Sequence, residues 1–371
     1  MSSTESISLP LPGRSGDRPK FRPIDTFPGE LRKRVETFFA TTGKRPRDNP
    51  TMYLKTVLIL ATFFVSYIVL VFFAANWWHA IITAIVLGSA AGLIGFNIQH
   101  DGSHLAYSDH PWINKLTAMT MDLIGASSYM WHWKHVASHH IYVNITDHDA
   151  DVDLGAFARV TPHQPRYFFH RAQHFYLWAL YGFMTIRWHL YGDFRDLITR
   201  HIGGQKIPRP RGKELLIFIG GKVLFFTLAF VLPMLFHSWW KVLLFYALVA
   251  GIVGVVLSIV FQLAHCVEEA DFPMPDIETN KMETNWMVHQ VLTTVDFARR
   301  SKLMCWMLGG LNFQVEHHLF PKICHVHYPE ISKIVEDTCR EFGIRYNEHK
   351  TLWAGLVSHY RWLRRMGQPV G

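Results

Sequence analysis

The chain has 371 residues, 49% apolar, 14% aromatic and only 18% charged, against about 25% charged in soluble domains, which excludes a pair of ordinary globular units, a disordered chain and a fibrous one. Its net charge of +8 fits either nucleic acid or an anionic membrane surface until the charges are placed. Histidine is the outlying residue, 23 against 29 Asp and Glu together, while the four cysteines (Cys266, Cys305, Cys324, Cys339) form no C-x-x-C pair and read as reduced thiols.

Residues 1–55 are polar, basic and Pro-rich, and the first thirty hold no apolar run that could serve as the core of a signal peptide, so this segment is expected to stay in the cytosol. Two uncharged stretches follow at about 56–75 and 80–98, separated by Asn76-Trp77-Trp78-His79. Each is long enough to cross a hydrocarbon core of about 30 Å as a helix, and the Trp pair suits an interfacial turn. A second hairpin is expected at about 215–235 and 242–264, again turning at a Trp pair, with Lys222 the one charge inside a span. A lysine there must snorkel or face other helices.

Of the 37 Lys and Arg, 11 precede the first span, 12 lie between the hairpins and 12 follow the last span, whereas the turns Asn76–His79 and Phe236–Trp240 hold none. The positive-inside rule therefore puts the amino terminus, the middle segment and residues 265–371 on the cytosolic side. Between the hairpins, 113–131 and 166–197 mix aromatic with charged residues and read as helices lying at the membrane surface. The expected architecture is an all-α integral membrane protein of four transmembrane helices in two hairpins, one domain over 1–371, with a cytosolic helical cap. Nucleic acid is excluded as a partner.

The histidines cluster where these segments meet. His100 and His104 stand four apart at the cytosolic end of the second span, where residues of one helix face point the same way and one metal could bridge them. His135 and His139 repeat the spacing, and the adjacent His140, about a quarter turn away, could reach a second metal. His265 follows the fourth span at the depth of His100, and His317-His318 form a further adjacent pair. Solitary histidines (His79, His110, His163, His201, His237, His349, His359) are ordinary polar residues. The clusters differ in that segments remote in sequence deliver them to one membrane face.

Imidazole suits zinc, copper, iron or nickel, not calcium or magnesium, and eight histidines exceed the coordination of one ion. The zincin H-E-x-x-H and the paired E-x-x-H of soluble di-iron carboxylate bundles are both absent. A histidine-rich di-iron site remains. Its use is plain: an unactivated C–H bond has no acidic proton for a side-chain base, whereas iron with dioxygen can attack it by one-electron chemistry.

The boxes HDGSH (100–104), HVASHH (135–140) and QVEHH (314–318), with Trp131, Lys134, Tyr142-Val143-Asn144-Ile145, Gly309-Gly310-Leu311-Asn312-Phe313 and Leu319-Phe320-Pro321 around them, resemble the membrane fatty acid desaturases over about residues 50–350. The resemblance implies that His100, His104, His135, His139, His140, His265, His317 and His318 ligate two irons and that a fatty acyl chain, on coenzyme A or in a lipid, is desaturated. Gln314, where many members have histidine, is similar to the front-end group, which desaturates on the carboxyl side of an existing double bond. Phe261 stands where some members have a water-bridging asparagine. No H-P-G-G haem motif occurs in the sequence, and His201-Ile202-Gly203-Gly204 is taken as loop, so electrons are expected from a separate b-type cytochrome or ferredoxin and its reductase.

His289 and Gln314 are further candidates for holding the metal or orienting its ligands, and Asp296 for orienting them. Asp147, Asp149, Asp151 and Asp153 lack calcium-loop offsets and read as solvated or as supports for ligands. His325 and His327 read as non-ligands. The competing functions are a hydroxylase or acetylenase on the same scaffold and, more remotely, a membrane metal transporter, which would carry its ligands inside the spans. The membrane is expected to be a cell inner membrane or the endoplasmic reticulum.

Overall fold

The computed structural model describes residues 18–23 and 26–369; the expectation of a cytosolic amino-terminal segment falls partly outside the described residues, at 1–17 and 24–25. Within them, four helices are long and apolar enough to cross a membrane: Pro50–Phe73, Trp77–Ser103, Lys213–Met234 and Trp239–His265. Stretches of this kind form helices because lipid offers no partner to an open backbone N–H or C=O. The first span starts at Pro50, earlier than the apolar run, because Asn49 caps it by accepting from the Thr51 N–H at 2.9 Å and Pro suits the first turn. Lys55 thereby lies inside the helix. The second and fourth spans run past their apolar stretches, and so carry His100 and His265 on rigid helical ends.

The second span packs against the first and the fourth, and 61% of its apolar stretch is buried, against 17% for the third. It is the bundle's central helix. The expected difficulty at Lys222 is met by facing other helices: its amine donates to Asp193 at 2.6 Å and to the Gly125 carbonyl at 2.8 Å. A lysine so paired costs far less to bury than an isolated one.

The segment between the hairpins holds short helices, including Pro111–Ala118, Ser128–Trp131, Gln173–Tyr181 and Phe183–Arg187, and none is a span. The 201–204 string is not an open loop. His201–Ile202 pairs antiparallel with Gln205–Lys206 across a tight Gly203-Gly204 turn, both glycines at positive φ. A second two-residue ladder, Asp296–Phe297 parallel to Glu348–His349, ties the cap together.

The cap comprises the helices Trp286–Thr293, Gln314–Leu319, Tyr328–Glu341 and Leu352–Met366, with the amino-terminal helix Thr26–Thr42 packed on Tyr328–Glu341. Phe27, Leu31 and Val35 of that helix enter a core with Met287, Val315, Ile331 and Val335, and Arg34 pairs with Glu341 at 2.6 Å. Gly309, at φ +57°, joins the cap to the second span: a Cβ there would stand 2.3 Å from the Phe96 carbonyl oxygen. Only glycine permits that approach.

Candidate metal centre

The eight box and isolated histidines converge where the second and fourth spans meet the cap. His100 lies in the last turn of the second span, His104 caps its end and His265 ends the fourth. His135 and His139 lie in a widened, π-helical stretch, His132–His139, with His140 starting the next turn, and His317 and His318 ride on Gln314–Leu319. All eight are at most 5% exposed.

Their nitrogens fall into sets: His100, His104, His135 and His317; His139, His265 and His318; and His140 with His317 and His318, the ligand atoms of each set lying within 4.8 Å of one another. The Nε2 atoms of His100 and His135 are 3.2 Å apart, those of His135 and His140 3.2 Å, and those of His140 and His317 2.9 Å. Nitrogens about 2.1 Å from one ion in perpendicular directions would stand roughly 3 Å apart, so the spacing suits shared coordination. The Nε2 atoms of His104, His139, His265 and His318 are buried without any hydrogen-bond partner. Orphaned imidazole nitrogens are costly unless something binds them. The residues therefore fit a histidine-held metal site.

The four-residue spacing of the second box does bring its histidines together: His135 and His139 form a further group with Asp151, ligand atoms within 4.8 Å, and their rings stack 5.3 Å apart. His135 Nε2 also meets His140 Nε2 at 3.2 Å. In a helix bonded i to i+5, residues five apart come into line, which the spacing of an ordinary helix does not predict.

The fatty acid desaturase family model matches residues 75–350. The sn-1 linoleoyl-lipid 6-desaturase of Synechocystis sp. is 37% identical over 355 residues, 95% of this chain and 99% of that relative. The acyl-lipid (8-3)-desaturase of Physcomitrium patens is 38% identical over 341 residues, covering 91% of this chain and 71% of the relative. That of Mortierella alpina is 29% identical over 361 residues, covering 95% and 80%. The chain belongs to the fatty acid desaturase family.

Around the histidines of this desaturase lies a layer of orienting partners. His139 Nδ1 is 3.0 Å from both Asp149 oxygens, and Asp149 also accepts from the Asn144 and Asp151 N–H groups at 2.9 Å. His318 Nδ1 meets Gln290 Oε1 at 2.9 Å, and His265 Nδ1 the Thr293 carbonyl at 3.5 Å. His317 Nδ1 lies 3.4 Å from the Tyr328 hydroxyl, and His135 Nδ1 3.5 Å from Asp151. An acceptor at Nδ1 keeps the proton there and leaves the Nε2 lone pair free for a metal.

Burial and neighbouring imidazoles press His104, His140, His317 and His318 well below the usual histidine range, and His135 down to about 3. Neutral imidazole is the form that ligates. His139 is the exception: burial alone would lower it, yet the charge and hydrogen bond of Asp149 hold it above its ordinary value.

The other sequence candidates separate cleanly. Among the described residues His289 joins no metal-capable group; its Nε2 meets the Val143 carbonyl at 2.9 Å and so braces the chain just after the second box. Gln314 is buried at the head of the helix bearing His317 and His318. Asp296 accepts from the Val315 N–H at 3.0 Å and shares Tyr346 with Glu316, its hydroxyl 2.6 and 3.0 Å from the two carboxyls. Burial raises Asp296 to about 6 and Glu316 well above its ordinary value. Of the four aspartates, Asp149 and Asp151 reach box histidines, whereas Asp153 accepts from the Gly155 N–H in a surface turn. His325 bonds Asp101 at 3.0 Å and the Lys55 amine at 2.8 Å, and His327 the Arg45 carbonyl at 2.9 Å. Phe261 lies 5.8 Å from the His135 ring.

Sequence reasoning missed Gln290, Thr293, Tyr328 and Lys55. For Gln290 a signal existed: it is a polar residue beside His289 in an otherwise apolar helical stretch.

Proposed function

We propose that the chain is an oxygen-dependent acyl-lipid desaturase that places a cis double bond on the carboxyl side of an existing one, with two iron ions held by His100, His104, His135, His139, His140, His265, His317 and His318. The observation that carries this reading is the convergence of the eight buried imidazoles, four with orphaned Nε2 atoms, at one end of the spans. Carboxyl-side placement is supported by Gln314 and by the Synechocystis relative, named a 6-desaturase of a linoleoyl lipid. The same name favours a glycerolipid over coenzyme A as the acyl carrier.

Iron, when bound, supplies with dioxygen the one-electron oxidising power that an unactivated C–H bond demands. The protein's own contribution is to orient the imidazoles through Asp149, Gln290 and the Thr293 carbonyl, and to bury the site away from water. Gln314, buried beside the ligand pair, is assigned to the metal's immediate surroundings, and His289 to bracing the second box. The whole chain acts as one domain, its histidine end facing the cytosol as the placement of Lys and Arg directs, and a separate b-type cytochrome or ferredoxin supplies two electrons per double bond.

The test is fatty acid profiling, with double-bond localisation, of a host expressing the chain and fed saturated, mono-unsaturated and di-unsaturated acids, against a His317→Ala control. A new double bond on the carboxyl side of an old one, absent from the control, is expected. A hydroxyl or triple bond would instead make the chain a hydroxylase or acetylenase, and a product unchanged in the control would overturn the site.

A further inference from the structure

An extended arm precedes the amino-terminal helix. The Lys20 N–H donates to the Asn280 carbonyl at 3.0 Å, Met282 N–H to Lys20 at 2.8 Å and Arg22 N–H to Thr284 at 3.2 Å, so residues 18–22 run parallel beside 280–284. Phe21 turns inward, its ring 5.1 Å from that of His289 and stacked 6.4 Å from Tyr142. Arg18, Lys20 and Arg22 occupy the alternate positions and point to solvent, as does Lys281. Among the described residues none of these four cations forms an ion pair. Asp276, Glu278 and Glu283 are the exposed acids of the 276–284 stretch, three against the four cations, and Asp276 is occupied in capping its own turn by accepting from the Thr279 N–H at 2.8 Å.

Two residues beyond Thr284, at the head of its helix, stands Trp286. It is only partly buried, and Asn285 fixes its place by accepting from the Val288 N–H at 3.0 Å. The Trp286 indole N–H donates to the His140 carbonyl at 3.2 Å. A single hydrogen bond thus links a ring at the surface to a residue of the imidazole cluster, whose side chain meets His317 at 2.9 Å. Electron tunnelling weakens steeply across through-space gaps, so a bonded route of this length is favoured over one through loosely packed side chains.

We propose that the arm Arg18–Arg22 with Lys281 is the docking surface for an acidic one-electron carrier protein, and that Trp286 is the residue through which its electron enters at His140. The proposal rests on the di-iron desaturase reading and gives the electron donor a place. Each reduced carrier gives up one electron and leaves oxidised. Two such deliveries, one dioxygen, two protons and the two hydrogens removed from the acyl chain yield one double bond and two waters. The unpaired cations steer an acidic partner and fix its register.

The test uses the full iron-loaded chain in nanodiscs of neutral phosphatidylcholine, with a plant-type ferredoxin and the soluble domain of a b-type cytochrome as separate probes. The combined Lys20→Glu, Arg22→Glu and Lys281→Glu variant should bind its carrier on the order of tenfold more weakly at low salt, the difference closing at high salt. Arg209→Glu with Arg211→Glu, an equally exposed basic pair before the third span, should leave affinity unchanged. Trp286→Phe, which keeps a ring and loses the N–H, should bind as before yet reoxidise the carrier several-fold more slowly. Unchanged affinity of the triple variant for both carriers would overturn the docking surface, as would an equal loss in the Arg209 and Arg211 control. A triple variant that loses affinity only for phosphatidylglycerol vesicles would assign the arm to lipid. Wild-type reoxidation in Trp286→Phe would overturn the entry route. Carrier binding requires no turnover, so failure here is distinct from failure to form a desaturated product in the fed host.

Discussion

The two main histidine sets are oriented by different means. In the set of His139, His265 and His318, two of the three rings are held by hydrogen bonds of 2.9–3.0 Å, to Asp149 and Gln290. In the set of His100, His104, His135 and His317 the corresponding contacts are longer: His100 to Asp101 at 3.9 Å, His135 to Asp151 at 3.5 Å, His317 to Tyr328 at 3.4 Å. There the rings are placed by packing, with Trp131 stacked on His135 at 4.4 Å. One set is aimed by acceptors and the other by shape. Loss of an acceptor should therefore matter in the first case and hardly at all in the second.

The severest break is removal of a ligand the sets share. His318 belongs to two of the three all-histidine groups, and His318→Ala is expected to abolish product and iron retention while the chain still inserts; retained turnover, measured by gas chromatography beside metal analysis, would remove His318 from the site. Next comes pH, which acts beneath both sets, because Asp296 and Glu316 support the helix that bears His317 and His318. Burial holds both Asp296 and Glu316 above the ordinary carboxyl range, so folding takes up a proton above the unfolded carboxyl value. Stability should therefore fall as pH rises from there through the raised values of the pair, and Asp296→Asn should make that decline shallower in detergent melting curves. A third effect is confined to the acceptor-aimed set: Asp149→Ala should cost about 10–100-fold in metal affinity or activity, which iron titration would measure. The smallest belongs to the packed set. Tyr328→Phe removes a contact at the outer limit of hydrogen bonding and should change activity less than about threefold; a larger loss would put Tyr328 among the true orienting groups.

What could be read from the sequence was whatever had a length or a period. The four spans followed from apolar stretches, three of them uncharged and one interrupted only by Lys222, and the histidine clusters from short spacings near their ends. The starts and stops shifted because capping by Asn49, and helix continuing through His100 and His265, are set by hydrogen bonding and packing instead of by charge. In the second box the pairing of His135 with His139 followed from the spacing, but the meeting of His135 with His140 was not legible, because a π-helical turn brings residues five apart into line. The orienting partners were harder still. Gln290 lies 28 residues from His318, and only the fold brings them together. Asp149 was within the aspartate run, but nothing in that run distinguished it from Asp153, which serves a turn.

The backbone contact at Gly309 has a consequence for how the whole cage is dimensioned. His100, His104 and His265 belong to the ends of spans, while His317 and His318 belong to the cap, and the two bodies touch where Gly309 lies on Phe96. No side chain intervenes there to act as a shim. The gauge between the two halves of the cage is thus the thickness of two peptide planes, a dimension that ordinary side-chain variation elsewhere in the joint leaves alone and that any residue but glycine would widen.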